Sequence, residues 1–342
     1  MPANLTPQYH KAEQVYKEAT TVEEKIAALE EMLAVMPKHK GTDHLQADLK
    51  KKLARHREEA SRPKAKKAVF DPFRVERGGA GTVPLLGAPN SGKSAIVARF
   101  TKASTEPTPF PFATQGPIPG MMLYEDVQVQ LVDLPPITAE HFPKGMLGLI
   151  KSGDAALLVA DLEADSVLDD IEAVIQGVEA GRVRLRDASR GALPSAPADA
   201  GGEDTEVLTT VLPAILVANK ADAPGAAERL ELLRELYGAR FEPFPISTTS
   251  GEGTEALPGK VFRMLDRIRV YSKEPGKPPD MSSPFTLRRG QNVLDLAAKI
   301  HRDFPENLKQ ARVWGSARFE GQAVEKTYVL ADKDVVELQV TV

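Results

Sequence analysis

The chain of 342 residues contains no cysteine, which excludes disulfide bonds and any zinc site built on thiolates. Its six histidines are scattered, without the spacing typical of metal ligands. No apolar run approaches the ~18 residues that a membrane-spanning helix needs, and the N-terminal sequence MPANLTPQYHKAEQ lacks the apolar core of a signal peptide. We therefore expect a cytoplasmic protein, with neither a membrane nor DNA as a partner.

Charge is nearly balanced over the whole chain, with a formal net charge of −4, but it is unevenly distributed. Residues 38–67 contain eleven Lys or Arg and four Asp or Glu, a local net charge of +7. Such a segment is either a surface that binds anions such as RNA phosphates or simply a solvated helix face.

The pattern of apolar residues predicts helices at the N-terminus. Val22, Ile26, Leu29, Leu33 and Met36 have helical spacing, and Thr21 with Glu24 has the form of a capping box. A second helix is predicted from about residue 42, with three leucines on one stripe. We interpret residues 1–67 as a basic helical hairpin.

From residue 82 onward, short apolar strands alternate with helices, a pattern typical of an α/β fold with a mostly parallel sheet. We assign residues 68–272 to this domain. Residues 188–206, rich in Ala, Gly, Pro and acidic residues, are predicted to be a mobile surface insertion. A linker at 273–283 then precedes a small α+β domain at 284–342.

The segment GAPNSGKS, Gly87 to Ser94, has the phosphate-binding pattern G-x-x-x-x-G-K-S between a predicted strand and a predicted helix. Backbone N–H groups in such a loop surround the phosphates. Lys93 is predicted to reach the β- and γ-phosphates and Ser94 to bind Mg²⁺. The remaining predicted phosphate-loop contacts are Gly87, Asn90, Ser91, Gly92 and Ala95.

A second motif, NKAD, follows the predicted strand AILVA and predicts the base. The Asp222 carboxylate can accept hydrogen bonds from both N1–H and the 2-amino group of guanine, which adenine does not offer. The motif therefore favours GTP over ATP. The remaining predicted base contacts are Asn219, Lys220, Ser247, Thr248 and Thr249, the last three in the segment ISTTSGEG.

Two further segments are predicted to respond to the γ-phosphate. Thr114, in FPFATQGPIPG, is a candidate for both catalysis and Mg²⁺ binding, and Lys93 is the second catalytic candidate. Asp133, at the end of VQLVD, is predicted to hold the Mg²⁺ shell. The predicted metal ligands are thus Ser94, Thr114 and Asp133.

These motifs resemble the Obg-related GTPases, and within them the DRG (developmentally regulated GTP-binding protein) group. The resemblance rests on KHKGTDHLQADLKKKLARHREE, FRVERGGAGTVPLLGAPNSGKS and FPFATQGPIPG. The last sixty residues, with KIHRDF, ARVWGSARF and VLADKDVVEL, resemble a TGS domain. The implied fold is a P-loop GTPase domain, preceded by the helical hairpin and followed by a β-grasp-like TGS domain. The implied partners are GTP or GDP and ribosomes, RNA or translation factors.

The sequence departs from the family pattern at DLPPI, where the family has D-x-P-G. Pro136 replaces the glycine whose N–H donates to the γ-phosphate, and proline has no N–H. Ile137 stands where Ras-like GTPases place a glutamine that orients water, which an isoleucine cannot do. Ala113 also replaces the first threonine of a Thr-Thr pair.

The departures leave two hypotheses. The first is a slow Mg²⁺-dependent GTPase of the translation apparatus, stimulated by K⁺ or by a partner. Related K⁺-activated GTPases hold this ion with an asparagine at the position of Asn90, although Asn90 can equally serve only to shape the turn. The second is an adaptor that binds guanine nucleotides without hydrolysing them because the switch II glycine is lost.

Overall fold

A computed structural model describes residues 6–19, 21–37, 42–61, 73–101, 116–143, 145–188 and 209–341. The chain divides into two compact units, residues 1–70 and 71–342. Within the described ranges, no helix combines the length and the apolar character needed to cross a membrane.

The N-terminal unit contains three helices, one more than the sequence analysis predicted: α1 (Pro7–Glu18), α2 (Val22–Val35) and α3 (Asp43–Ser61). The predicted Thr21–Glu24 capping box starts α2, and the Thr6 side chain caps α1 by accepting from the Tyr9 N–H. The three helices share an apolar core: Tyr9, Ala12, Leu29, Met32, Met36, Leu49 and Leu53. Helix α1 has little signal in the sequence because it buries only two residues and has no long apolar stripe.

The second unit begins with a seven-stranded sheet of order β2-β3-β1-β4-β6-β5, with β7 beside β6. All pairs are parallel except β2 with β3. Its strands are β1 (Thr82–Gly87), β2 (Ile118–Tyr124), β3 (Val127–Asp133), β4 (Ala156–Asp161), β5 (Val183–Asp187), β6 (Thr210–Asn219) and β7 (Phe244–Pro245). The predicted α/β fold with a mostly parallel sheet is therefore confirmed.

Helices and two apolar clusters accompany this sheet: α4 (Lys93–Phe100), α5 (Met146–Ser152), α6 (Val167–Ala180), α7 (Ala226–Tyr237) and α8 (Leu257–Met264). Successive residues of a strand point to opposite faces, so β1 contributes Leu86 to one cluster and Leu85 to the other. All six residues of β1 are buried, as expected for a central strand covered on both faces. The functional loops follow the C-terminal ends of these strands.

A separate mixed sheet of order β11-β10-β12-β8-β9 forms the C-terminal part. Its elements are β8 (Arg267–Lys273), β9 (Phe285–Arg288), α9 (Val293–Ile300), α10 (Phe304–Asn307), β10 (Leu308–Trp314), β11 (Gln322–Val324) and β12 (Asp334–Val340). The Asn292–Asp295 capping box starts α9.

The structure differs from the sequence pattern in this region. Residues up to 272 were assigned to the α/β domain, whereas β8 pairs with β9 and β12 in the C-terminal sheet. The strand-like segment KTYVL contributes only an isolated bridge from Val329 to Asn292. Strand pairing depends on partners distant in sequence, which local apolar patterns do not specify.

An ion-pair network joins the C-terminal sheet to the α/β domain. The Arg269 guanidinium, on β8, donates to Glu125 and Asp126 in the turn between β2 and β3, and to Asp332. The Tyr271 hydroxyl also donates to Asp126. Burial, followed by the Asp126 carboxylate, raises the pKa of Tyr271 to about 12.

Candidate functional site

The phosphate-binding loop follows β1 and ends at the first residue of α4. Asn90 is exposed with φ 60°, and Gly92 has φ 90°. A Cβ on Gly92 would lie 2.0 Å from Asn219 Nδ2, so both the positive φ and the close approach require glycine. The loop therefore turns sharply and presents its N–H groups at the start of α4, where an anion is favoured.

Lys93 is 6% exposed and its ammonium group points back at the loop. Its Nζ lies 3.0 Å from the carbonyl oxygen of Gly87 and 2.8 Å from that of Ala88. Burial lowers the pKa of Lys93 to about 8, and the nearby Asp133 carboxylate opposes this shift only in part. A buried cation in this state is stabilised by any anion that enters the loop.

Ser94 and Asp133 come together although they lie far apart in the sequence. Parallel pairing of β1 with β3 places Asp133 opposite Leu85, and the Ser94 hydroxyl donates to Asp133 Oδ2 at 2.5 Å. A hydroxyl and a carboxylate are hard oxygen donors of the kind that Mg²⁺ prefers. These two residues therefore fit a magnesium site, whereas the predicted third ligand, Thr114, lies outside the described residues.

Asn219, at the end of β6, is fully buried and links two loops. Its Nδ2 donates to the carbonyl oxygen of Ser91 at 3.1 Å, and its Oδ1 accepts from the Thr248 N–H at 3.3 Å. One amide side chain thus fixes the distance between the phosphate loop and the loop that carries Thr248.

The two residues that follow Asn219 face different surroundings. Lys220, at φ 62°, donates to Asp161 at 2.7 Å and to Glu163 at 2.9 Å. Burial opposes its charge, but the two carboxylates outweigh burial and raise the pKa of Lys220. Asp222 is exposed in the turn that leads into α7. The structure thus holds Lys220 in place and leaves the Asp222 carboxylate accessible to a ligand.

The loop at residues 247–249 is organised by its own first side chain. Ser247 is fully buried, and its hydroxyl accepts from the N–H groups of Thr249, at 3.2 Å, and Ser250, at 2.9 Å. Arg99, on α4, donates to the carbonyl oxygen of Thr248 at 3.0 Å. The loop is therefore held from two directions, by Asn219 and by Arg99.

The segment DLPPI does not extend into solvent after Asp133. Leu134, Pro135, Pro136 and Ile137 are all buried, and Ile137 is 1% exposed. The Ile137 N–H donates to the carbonyl oxygen of Gly87 at 3.1 Å. The segment is thereby tied to the first residue of the phosphate loop, and the Ile137 side chain packs into the apolar core.

The structure brings most of the predicted site residues to one edge of the sheet. Residues 87–95, Asp133, 219–222 and 247–249 all follow or end strands at their C-terminal ends, the usual ligand edge of an open α/β sheet. Sequence reasoning missed Asp161, Glu163 and Arg99. Asp161 ends a buried strand, AALLVAD, and this strand-end position could have identified it as a site residue. No feature of the sequence identified Glu163 or Arg99.

These features define the class of protein: a P-loop nucleotide-binding domain with a guanine-type base motif, joined to a small C-terminal domain. A family model described as 50S ribosome-binding GTPase matches residues 82–185, and a TGS domain model matches residues 268–340.

Relatives match nearly the whole chain. A GTP-binding protein of Methanocaldococcus jannaschii is 27% identical over 93% of this chain and 92% of its own length. Developmentally-regulated G-protein 3 of Arabidopsis thaliana is 26% identical over 93% of this chain and 99% of its own. Ribosome-interacting GTPase 1 of Saccharomyces cerevisiae is 27% identical over 94% of this chain and 99% of its own. The chain is thus similar to GTP-binding proteins of the DRG type over nearly its whole length and carries a C-terminal TGS domain, so the resemblance seen in the sequence is confirmed.

Proposed function

We propose that the protein binds GTP and GDP with Mg²⁺ and hydrolyses GTP slowly, acting in the cytoplasm with ribosomes, RNA or translation factors. The observation that carries the nucleotide assignment is the buried Asn219 bridge. It holds the phosphate loop and the Thr248 loop together, three residues before the exposed Asp222. Phosphate and guanine contacts are thus held at a fixed separation before the nucleotide arrives.

Magnesium is the metal that GTPases of this family generally use, and in this site Ser94 and Asp133 supply oxygen donors suited to it. The ion would neutralise charge on the β- and γ-phosphates. Thr114 remains the proposed additional ligand. Asn90, exposed at the turn of the phosphate loop, remains a proposed K⁺ ligand.

Slow hydrolysis follows from two residues. Pro136 offers no N–H to a γ-phosphate, and the Ile137 side chain is buried in the core, where it cannot orient a water molecule. The same observation supports the second candidate function, a guanine-nucleotide-stabilised adaptor without hydrolysis, because the Ile137 N–H already ties the segment to Gly87.

The ribosomal assignment rests on the relatives and on charge. One relative carries the name ribosome-interacting GTPase, and the matching family model is described as 50S ribosome-binding. Lys50, Lys51 and Lys52 are consecutive and exposed on α3, where they can meet RNA phosphates. The TGS domain is the second proposed docking element.

Base selection tests the nucleotide assignment. We expect calorimetric titration to show tight binding of GDP and GTP and much weaker binding of ATP, and Asp222→Asn to shift the preference towards xanthine nucleotides. Glu228→Gln removes an exposed carboxylate from the neighbouring α7 and serves as the matched control. Equal affinity for ATP and GTP would contradict the assignment.

Turnover separates the two candidate functions. GTP hydrolysis by the purified full chain should be measured in KCl and in NaCl, with and without ribosomes. Slow turnover that KCl or ribosomes increase supports the GTPase; binding without turnover in all four conditions supports the adaptor.

A further inference from the structure

A second cavity, of about 380 Å³, lies where the α/β domain meets the C-terminal sheet. We call it the junction cavity. It is lined by the end of β2, by α8, by β8 and by residues near β9 and β12, among them Tyr124, Lys260, Phe262, Arg263, Arg267 and Arg289. No residue of the nucleotide site described above lines it.

Cationic side chains dominate the lining of the junction cavity. Five Lys or Arg residues line it against two carboxylates, Asp266 and Asp332. Three of the five cations are paired: Arg289 with Asp266 at 2.8 Å, Arg269 with Asp332 at 2.7 Å, and Arg267 with Asp154 at 2.8 Å. The other two, Lys260 and Arg263, form no ion pair within the described part of the chain. Lys260 instead lies over the Phe244 ring, 4.7 Å from its centroid.

Arg267 adds a further positive charge to the lining of the junction cavity. Its Nε is buried and has no hydrogen-bond partner among the described residues, although its Nη2 is paired. A buried unsatisfied donor of this kind is costly, more so on a charged group. Burial, together with the positive charges of Arg288 and Arg77, lowers the pKa of Arg267. The Nε atom itself is inaccessible to a ligand in the cavity, so an anion there would act by relieving the repulsion among these cations.

The remaining lining is apolar and aromatic. The Tyr124 and Phe262 rings stack with centroids 5.2 Å apart and an interplanar angle of 29°, and Ile215 adds aliphatic surface. The cavity lies within the usual volume range of small-molecule sites, about 300–1,000 Å³. Phe262 is only 5% exposed and also has the Arg269 guanidinium over its ring, so the half-buried Tyr124 is the aromatic residue open to a ligand. An aromatic side chain beside a cluster of cations suits a ligand that carries both a ring and a phosphate.

We propose that the junction cavity binds a small phosphorylated molecule of nucleotide size, separately from the guanine nucleotide in the phosphate loop. Lys260 and Arg263 would bind its phosphate groups, and Tyr124 would contact its ring. An extended RNA strand is the less suitable occupant, because the two cations without an ion pair lie three residues apart on α8 and not along an extended stripe. Since Arg267 and Arg269 belong to β8, the ligand would also reinforce the attachment of the C-terminal sheet.

The test uses the full chain with its phosphate loop saturated by GDP, titrated calorimetrically with three probes: ADP, inorganic pyrophosphate and a single-stranded RNA oligonucleotide. We expect saturable binding of ADP, and weaker binding of pyrophosphate, which lacks the ring. The double variant Lys260→Ala, Arg263→Ala should weaken ADP binding about tenfold, since charge-assisted hydrogen bonds are lost. Arg318→Ala, which removes an exposed arginine outside the cavity, should change nothing.

Three outcomes would overturn the proposal. The first is absence of saturable ADP and pyrophosphate binding to the GDP-saturated wild type. The second is equal weakening in the double variant and in Arg318→Ala. The third is binding of RNA alone, abolished by the double variant, which would assign the cavity to an RNA phosphate. Unchanged GDP affinity in the double variant shows that it remains folded.

Discussion

Lys93 is a buried cation whose ammonium group contacts backbone carbonyls at the start of the phosphate loop. Burial lowers its pKa to about 8, so its charge is only partly secured near neutral pH. A bound phosphate adds negative charge beside it and favours the protonated form. Nucleotide binding and protonation of Lys93 are therefore linked.

This linkage predicts the pH dependence of GDP affinity. The bound state retains the Lys93 proton to higher pH than the free state, so affinity should be constant below pH 8 and fall above it, by at most about tenfold per pH unit. Calorimetric titrations at pH 7, 8, 9 and 9.5 would measure this. Lys93→Arg is the matched control, because arginine stays charged throughout this pH range. Any pH dependence of GDP affinity in this variant therefore comes from the titration of other groups, including guanine itself. Parallel loss of affinity in the two proteins would exclude Lys93 as the titrating group.

At the scale of elements, the DLPPI segment departs most from the family pattern at this position, both in its hydrogen-bond donors and in its contacts. Its proline removes one donor, and its isoleucine contributes both a side chain to the core and an N–H to Gly87. Both effects restrict how this segment can respond to a γ-phosphate.

Pro136→Gly should restore a donor at the missing position. We expect a modest rise in the affinity for a non-hydrolysable GTP analogue relative to GDP. A charge-assisted hydrogen bond is worth roughly 1.5–3 kcal/mol, and part of this gain is offset by ordering a more flexible glycine. Affinities and turnover should be measured for both proteins in one K⁺ buffer. Pro135→Gly introduces the same flexibility one residue away and serves as control. A wild type that already strongly prefers the analogue and turns over rapidly would show that another group senses the γ-phosphate, and would remove the adaptor hypothesis.

The second element-scale prediction concerns α3. Arg57 is paired with Glu30 at 2.7 Å, so the three consecutive lysines are the better candidates for phosphate contacts. Changing Lys50, Lys51 and Lys52 to Glu should weaken cosedimentation with ribosomes. Each lost phosphate contact should also lower the slope of log affinity against log salt by about one.

The control for α3 reverses three other exposed lysines outside the TGS domain, Lys11, Lys17 and Lys151, and so matches the change in net charge. GDP affinity should be the same in both variants. Unchanged cosedimentation of the α3 variant would identify its basic face as a solvated surface.

For the whole molecule, the described junction between the two sheets is centred on Arg269, whose side chain is only 5% exposed. Hydrogen bonds from its guanidinium to Asp332 raise its pKa above the usual arginine value, so the cation is present at any working pH. Its partners Glu125 and Asp126 lie in the turn between β2 and β3, and β3 ends at Asp133. The C-terminal sheet is thus attached to the strand that carries a predicted metal ligand.

Arg269→Ala should lower the free energy of unfolding by about 1.5–3 kcal/mol, because the charge-assisted hydrogen bonds of the buried guanidinium to three partly exposed carboxylates are lost. Chemical denaturation of the full chain would measure this, with Arg312→Ala, an exposed arginine on β10, as the control, expected to change stability by no more than about 0.5 kcal/mol. A loss no larger than that of the control would mean that the network adds nothing to the attachment.

The sequence by itself determined the class of fold and the chemistry of the site. Alternating strand and helix patterns, the GAPNSGKS loop and the NKAD motif are local signals, because backbone geometry and ligand type are set by neighbouring residues at fixed spacing. The capping box at Thr21 is a local signal of the same kind, since a cap involves residues only three positions apart.

Only the tertiary structure decided features that depend on residues far apart in the chain. Asn219 reaches Ser91, Lys220 is held by Asp161 and Glu163, and Arg269 meets the turn between β2 and β3. The inclusion of β8 in the C-terminal sheet and the burial of Ile137 also follow from packing partners that no local pattern specifies. Local propensity selects elements, whereas burial, strand pairing and charge compensation between elements select their contacts, and those contacts exist only once the chain has folded.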